Sequence, residues 1–339
     1  DLRTPFRVAE RQIEASEYEQ AIETLNTKVH PYVGTPDITE EQQGLYHQLM
    51  GRALFLGQRG LGIDREDNNK NIEASFLEAE SMGRELSPGD QTYLAETLLA
   101  LGKFDQARKR ADALPTEDRQ RRLAMCRKLV DSAMDPHHRR DEAAFELVSG
   151  LLLDPQLATE DRAWALARQA ELQLDRGYAE DAMNRLLREM PRLDGLSAAD
   201  RGPLHLFLAR AYIETQALDA ADRQLTTAGE LLPLGDTRRV QLALLQGQVL
   251  TLKGDHAGAR DKFQQVLDGT PSGRWEVLGE YGLARVASAM DDDEEAIAAF
   301  GRLVALLKKG ERAREVVPEQ VVEGLTKRSA DRYERGQTE

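Results

Sequence analysis

Residues 240–273 read VQLALLQGQVLTLKGDHAGARDKFQQVLDGTPSG, and this stretch decides the fold. Two amphipathic helices are written in it, joined by a tight turn at Gly254-Asp255. Gly247 and Leu250 belong to the first helix, where a residue without a side chain lets a neighbouring helix come close. Gly254 supplies the helix terminus, because the left-handed conformation that ends many helices is cheapest for glycine. Ala259, Phe263 and Val266, spaced four and three apart, form one apolar stripe on the second helix. Pro271 lacks a backbone N–H and stops it.

The same unit recurs on both sides. Residues 202–235 repeat the spacing with Leu208, Ala209 and Tyr212, then Leu218, Ala221, Leu225 and Ala228, and end at Pro233. Residues 163–196 carry Ala170, Gly177, Ala182 and Leu186, and residues 277–310 carry Leu283, Ala284, Ala287, Ala296, Phe300 and Leu303. Residues 88–121 keep Leu94, Ala95, Leu98, Gly102, Phe104 and Ala107 but bring Pro115 early. The first copy, 1–33, shows Val8, Ala9, Tyr18, Ala21 and Leu25, and 124–157 keeps Ala143, Leu147 and Pro155 around an irregular turn at Asp135-Pro136-His137-His138. In 43–82, Met50, Gly51 and Leu54 pair with Ile72, Phe76 and Ala79, and residues 57–66 read as an insertion that lengthens the turn between the helices. The small residue opening the stripe of each second helix falls at Ala107, Ala143, Ala182, Ala221, Ala259 and Ala296, in steps of 36, 39, 39, 38 and 37. The chain is therefore expected to be all-α: eight helix pairs over residues 1–310, then a C-terminal capping helix and frayed tail over 311–339.

This recurrence resembles the tetratricopeptide repeat (TPR) family, whose helix-turn-helix unit of about 34 residues has small residues early in both helices, an aromatic or leucine stripe and a terminal proline. The tryptophan often found early in the first helix is missing from every copy, and Trp164 and Trp275 lie before that point. The resemblance implies a right-handed superhelical solenoid of antiparallel hairpins whose first helices line a concave groove for a peptide or helix of another protein. First-helix residues outside the packing stripe are expected to face that groove: Arg52, Tyr93, Arg168, Glu171, Phe207, Arg210, Gln248, Tyr281 and Arg285. Arginine forks and rigid aromatic rings suit an interface, and mere solvation of the helix face is the competing reading. Reversing the charge of Arg210 together with Arg285 is expected to abolish capture of a partner without lowering the melting temperature. Chaperone-binding members grip a terminal carboxylate with a lysine and asparagine set. The corresponding slots here hold Glu10, Arg52, Glu96, Ser132, Glu171, Arg210, Gln248 and Arg285, so no such clamp is expected.

Composition narrows the function classes. A net charge of -14 disfavours general binding to phosphate backbones, so no nucleic-acid partner is expected. Residues 101–140 reverse the sign locally. Arg108, Arg110, Arg121, Arg122 and Lys128 form a second candidate surface for an acidic partner, against the alternative of a solvated face paired with Asp105, Asp112, Glu117 and Asp118. No stretch approaches the roughly 18 apolar residues of a membrane-spanning helix, so no membrane insertion is expected. The single cysteine, Cys126, excludes an internal disulfide, a CxxC pair and a four-cysteine zinc site, and reads as a packed helix residue rather than a nucleophile. The chain opens on Asp1, as a processed product or a segment of a longer protein would. Its compartment stays open: cytoplasmic by default, with a periplasmic mature domain fitting equally. Alanine- and arginine-rich usage suits a bacterial source.

Catalysis has no basis in the sequence. The run Asp291–Glu295 opens a second helix, where acidic side chains cap amides and suit the helix dipole. Residues 64–69 lack the glycine of a calcium loop, and Ser75 stands where a bidentate Glu is needed. The histidines are scattered or, at His137-His138, adjacent and pointing apart, and the glycines at 57, 60 and 62 lack the setting of a phosphate cradle. No metal, cofactor or small-molecule substrate is expected. The sequence thus reads as a non-catalytic protein–protein interaction adaptor. The alternative is a structural scaffold or oligomerisation module of a larger assembly that self-associates through its edges.

Overall fold

The computed structural model describes residues 2–135, 138–193, 195–269, 273–313 and 315–338, so Pro136, His137 and Pro271 of the sequence argument lie outside it. Seventeen α-helices follow one another, with no strand among the described residues. They run as α1 (Arg3–Glu14) and α2 (Tyr18–Lys28), α3 (Glu40–Gly60) and α4 (Glu66–Ser81), α5 (Pro88–Ala100) and α6 (Phe104–Asp112), and α7 (Arg119–Ala133) and α8 (Asp141–Leu152). Then come α9 (Thr159–Asp175) and α10 (Ala179–Glu189), α11 (Ala198–Glu214) and α12 (Leu218–Leu231), α13 (Arg239–Lys253) and α14 (His256–Asp268), and α15 (Arg274–Ala289) and α16 (Asp293–Lys308), before α17 (Pro318–Thr338). The chain forms two compact units, Asp1–Leu147 and Val148–Glu339, with the boundary inside α8.

Six of the eight hairpins turn in one way. Ser16, Gly102, Gly177, Gln216, Gly254 and Asp291 all adopt positive φ, from 56° at Asp291 to 84° at Gly254. In each, the next residue's N–H reaches back five residues and closes the last turn of the first helix: Asp255 to the Leu250 carbonyl at 2.9 Å, Ala217 to Tyr212 at 2.8 Å. In two of the six an acidic side chain then caps the second helix. Asp255 accepts from the Gly258 amide at 2.9 Å and Asp292 from the Glu295 amide at 3.1 Å, the capping role expected of the run at 291–295.

The fourth residue of nearly every second helix is a fully buried alanine: Ala21, Ala107, Ala144, Ala182, Ala221, Ala259 and Ala296. A methyl there lets the second helix lie close against the first. In α8 this corrects the sequence reading by one residue, because the helix starts at Asp141; Ala144 and Val148 are buried, while Ala143 and Leu147 are only half-buried. In α1 the stripe is Phe6, Ala9 and Ile13, and Val8 is exposed.

Residues 57–66 also differ from expectation. They do not form a lengthened loop: α3 continues through Gly60, and only 61–65 connect it to α4. Gly57 helps to hold this added turn, for a Cβ there would lie 3.2 Å from the Cβ of Tyr18 on α2. Asn69 replaces the buried alanine of α4. Gln58 Nε2 donates to its Oδ1 at 2.7 Å and its Nδ2 donates to Asp64 Oδ1 at 2.6 Å, so the extension and the connection satisfy its amide.

In the second unit, glycines set the closest approaches. Phe263 lies between Gly247 of α13 and Gly282 of α15, where an added Cβ would come within 2.8 and 2.5 Å of the ring. Phe300 meets Gly324 of α17 in the same way, at 2.6 Å. Val321 of α17 is buried beside them, and Arg328 donates to the Ser288 carbonyl at 2.6 Å and to Asp293 at 3.2 Å. The last helix is thus locked onto the final hairpin.

Candidate functional site

In the second unit the first helices of four consecutive hairpins, α9, α11, α13 and α15, line one cavity of about 360 Å³. The lining follows helical spacing. Phe207, Arg210 and Glu214 recur at steps of three and four on α11, as do Gln241, Leu244, Gln248 and Thr251 on α13 and Trp275, Leu278, Tyr281 and Arg285 on α15. Glu171 comes from α9, Phe263 from α14, and Glu315 from the connection ahead of α17. Leu244 and Leu278 are buried at the base of their helices' faces, and four aromatic rings add a large apolar surface.

Most charges of the cavity are bound to one another. Arg210 donates from Nη1 to Asp175 at 2.8 Å and from Nε to Glu214 at 3.1 Å, and the Asp175 side chain is almost fully buried. Arg274 Nη2 donates to Glu315 at 2.5 Å and approaches Asp175 at 3.9 Å. Arg168 donates to Glu171 at 3.0 Å. Burial opposes the charge of Arg210, yet Asp175 outweighs it and, with Glu214, holds the guanidinium above its ordinary value. Glu214 fares the other way. Burial pushes its carboxyl up, Asp175 and Glu315 add to the push, and Arg210 only partly opposes them.

Arg285 stands apart. It is exposed, its guanidinium carbon lies 5.7 Å from the centre of the Tyr281 ring, and no carboxylate pairs with it among the described residues. The side-chain amides of Gln241 and Gln248 likewise make no hydrogen bond there, while the neighbouring Thr251 hydroxyl donates to the Gly247 carbonyl at 2.8 Å.

Of the nine groove residues read from the sequence, Glu171, Phe207, Arg210, Gln248, Tyr281 and Arg285 line this cavity, and Arg168 sits behind it through Glu171. Arg52 and Tyr93 lie in the first unit. Arg52 makes a two-pronged pair with the fully buried Asp90, at 2.8 and 2.7 Å, and Asp90 also accepts from Gln48 and Ser87 at 2.7 Å each. Tyr93 is stacked on Phe55 with ring centres 4.5 Å apart. The expectation that Arg210 can be reversed without cost is corrected: an acidic side chain there would face Asp175 and Glu214 with little water between them. The sequence reading passed over Gln241, Leu278 and Trp275. The first two stand seven residues from Gln248 and Arg285, a spacing that places each pair on one helix face. Glu315, in a connection, carries no such signal.

The second candidate surface, in the first unit, is largely neutralised. Arg108 pairs with Glu146 at 3.0 Å, Arg110 donates to Glu80 from both Nη atoms at 2.5 and 2.7 Å, Arg121 pairs with Asp118, and Lys128 shares Glu96 with Arg59. Only Arg122 of the five lacks an ion pair among the described residues. Burial pushes the Cys126 thiol up to about 11, which leaves it protonated near neutral pH. Among the described residues no helix is long and apolar enough to cross a membrane.

Solved structures are similar to this chain. The apo form of RapI aligns over 98% of this chain and 99% of its own with a TM-score of 0.54 at 11% identity. The apo form of the quorum sensor NprR from B. thuringiensis covers 96% of this chain and 86% of its own with a TM-score of 0.47 at 12% identity. The C-terminal part of a TPR repeat-containing protein from Cytophaga hutchinsonii covers 94% and 99% with a TM-score of 0.42 at 13% identity. No family model matches the chain, and no curated protein matches its sequence. The helix-pair order and the RapI likeness together make this an all-α, TPR-like helical-hairpin repeat fold.

Proposed function

We propose that the chain is a non-catalytic adaptor that holds a peptide segment of another protein in the cavity of its second unit. One observation carries the reading: three consecutive first helices, α11, α13 and α15, turn aromatic and leucine side chains into a single cavity whose rim offers an unpaired guanidinium and two unpaired amides. Large rigid rings beside an arginine are the mixture that dominates binding energy at protein interfaces. Ordering a flexible peptide costs entropy, and a cavity whose walls are already fixed by the Arg210–Asp175 and Arg274–Glu315 pairs adds little ordering of its own. The same pairs favour a non-catalytic role, because the carboxylates nearby are engaged by arginines rather than presented as an acid and base. The net charge of -14 favours a protein or peptide over nucleic acid.

The test is selection from a random heptapeptide library displayed on phage, run on the wild-type chain and on a Tyr281→Ala, Gln248→Ala variant of unchanged circular dichroism. Sequences enriched by the wild type and lost with the variant support the reading. No enrichment, or equal binding to both, removes it. A scaffold role would rest instead on α17, where Val322 and Tyr333 are 54% and 67% exposed, and would appear as a molecular mass that rises with concentration in sedimentation.

A further inference from the structure

Resting on that peptide-binding reading, the geometry points to the class of peptide: we propose that the cavity takes an extended segment in which a large apolar residue and an Asp or Glu stand two positions apart. The apolar residue enters the well between Phe207, Leu244, Trp275 and Leu278. The peptide backbone lies over Gln241 and Gln248. A side-chain amide offers one face that donates and one that accepts, which matches the exposed N–H and C=O of an extended chain. A helical ligand would have used those backbone groups internally. The carboxylate meets Arg285, since Arg210 and Arg274 are already committed to Asp175, Glu214 and Glu315.

The spacing follows from helix and strand dimensions. Leu278 and Arg285 are two turns apart on α15, about 10.5 Å along its axis, and the long arginine stem covers part of that distance. In an extended peptide, side chains that point the same way are about 6.6 Å apart and two residues removed. A carboxylate at that position reaches the guanidinium when its apolar neighbour is in the well. A basic side chain there would leave Arg285 facing a like charge.

The displayed library also tests this. Enriched sequences are expected to share an apolar residue with Asp or Glu two positions away. Synthetic amidated peptides made from them should bind about three- to fivefold more weakly when the acid becomes its amide, the range of an exposed ion pair, and more than tenfold more weakly when the apolar residue becomes Ala. Selection on Arg285→Glu, an exposed site at which folding is not at stake, should replace the acid by Lys or Arg at the same spacing. Enriched peptides without an acid at that spacing, or an unchanged preference on Arg285→Glu, overturn this inference and leave peptide binding standing. An unamidated peptide whose terminal carboxylate substitutes fully for the acidic side chain also overturns it. Failure to enrich any sequence overturns both.

Discussion

Asp90 is a carboxylate with no exposed surface. Burial alone would push its carboxyl up, but the two bonds from Arg52, helped by Ser87 and Gln48, outweigh burial and hold it below its ordinary value. Such a group stabilises the fold above its unfolded value near 4, and the contribution is lost as pH falls through the lower folded value. Asp90→Asn should therefore cost about 3 kcal/mol at pH 7, because Arg52 loses its buried counter-charge. Urea unfolding over a pH series should show that the variant lacks this part of the acid sensitivity. Glu214 has the opposite sign. Its folded value is raised, so the anion is disfavoured at neutral pH and the penalty fades as pH falls through that value toward the unfolded one. Glu214→Gln should be more stable than the wild type at pH 7 and indistinguishable from it below the unfolded value, by the same measurement.

At the scale of the helix pair, the shared turn makes its own prediction. Gln216 holds a positive φ of 62° where three other hairpins use glycine. Gln216→Gly should raise stability by about 0.5–1 kcal/mol, the relief of left-handed strain less the greater freedom of glycine when unfolded. Denaturant midpoints at unchanged slope would verify it. The helix pairs were legible in the sequence because each one repeats its stripe and spacing, so a weak copy borrows its reading from strong ones. The turns at Ser16 and Gln216 were not, since nothing in those residue types announces a left-handed backbone. Gly57 and Gly60 misled in the other direction. They resemble loop formers, but Gly57 is small so that α3 can pass Tyr18, a contact with another hairpin that local pattern does not contain. The start of α8 was missed by one residue because the sequence ahead of it, Asp135-Pro136-His137-His138, lacks the glycine that marks the turn in the clearer copies.

For the molecule as a whole, α17 closes the row of hairpins in the second unit, covering Phe300 with Gly324 and Val321 and fastening itself through Arg328. A repeat array needs such a terminal cover. Removing residues 318–339 should speed amide exchange in α15 and α16 and raise binding of an apolar dye, while exchange in α1–α6 of the first unit stays unchanged. Mass-spectrometric hydrogen exchange reads both effects. The cavity was half legible at this scale. Helical spacing on first helices exposes one face of each, and six residues named from it line one space. The ion pairs that set its walls join residues some 35 positions or more apart, as Arg210 with Asp175 and Arg274 with Glu315 do, and such pairing depends on how hairpins stack. The half-buried thiol of Cys126 has a practical consequence. With a pKa of about 11 it is thiolate in about one molecule in ten thousand at pH 7, roughly 300-fold less than an ordinary exposed cysteine. A cysteine introduced at the 89% exposed Leu234 would thus take a maleimide dye almost alone, giving a singly labelled chain for binding and distance measurements with the native residue left in place.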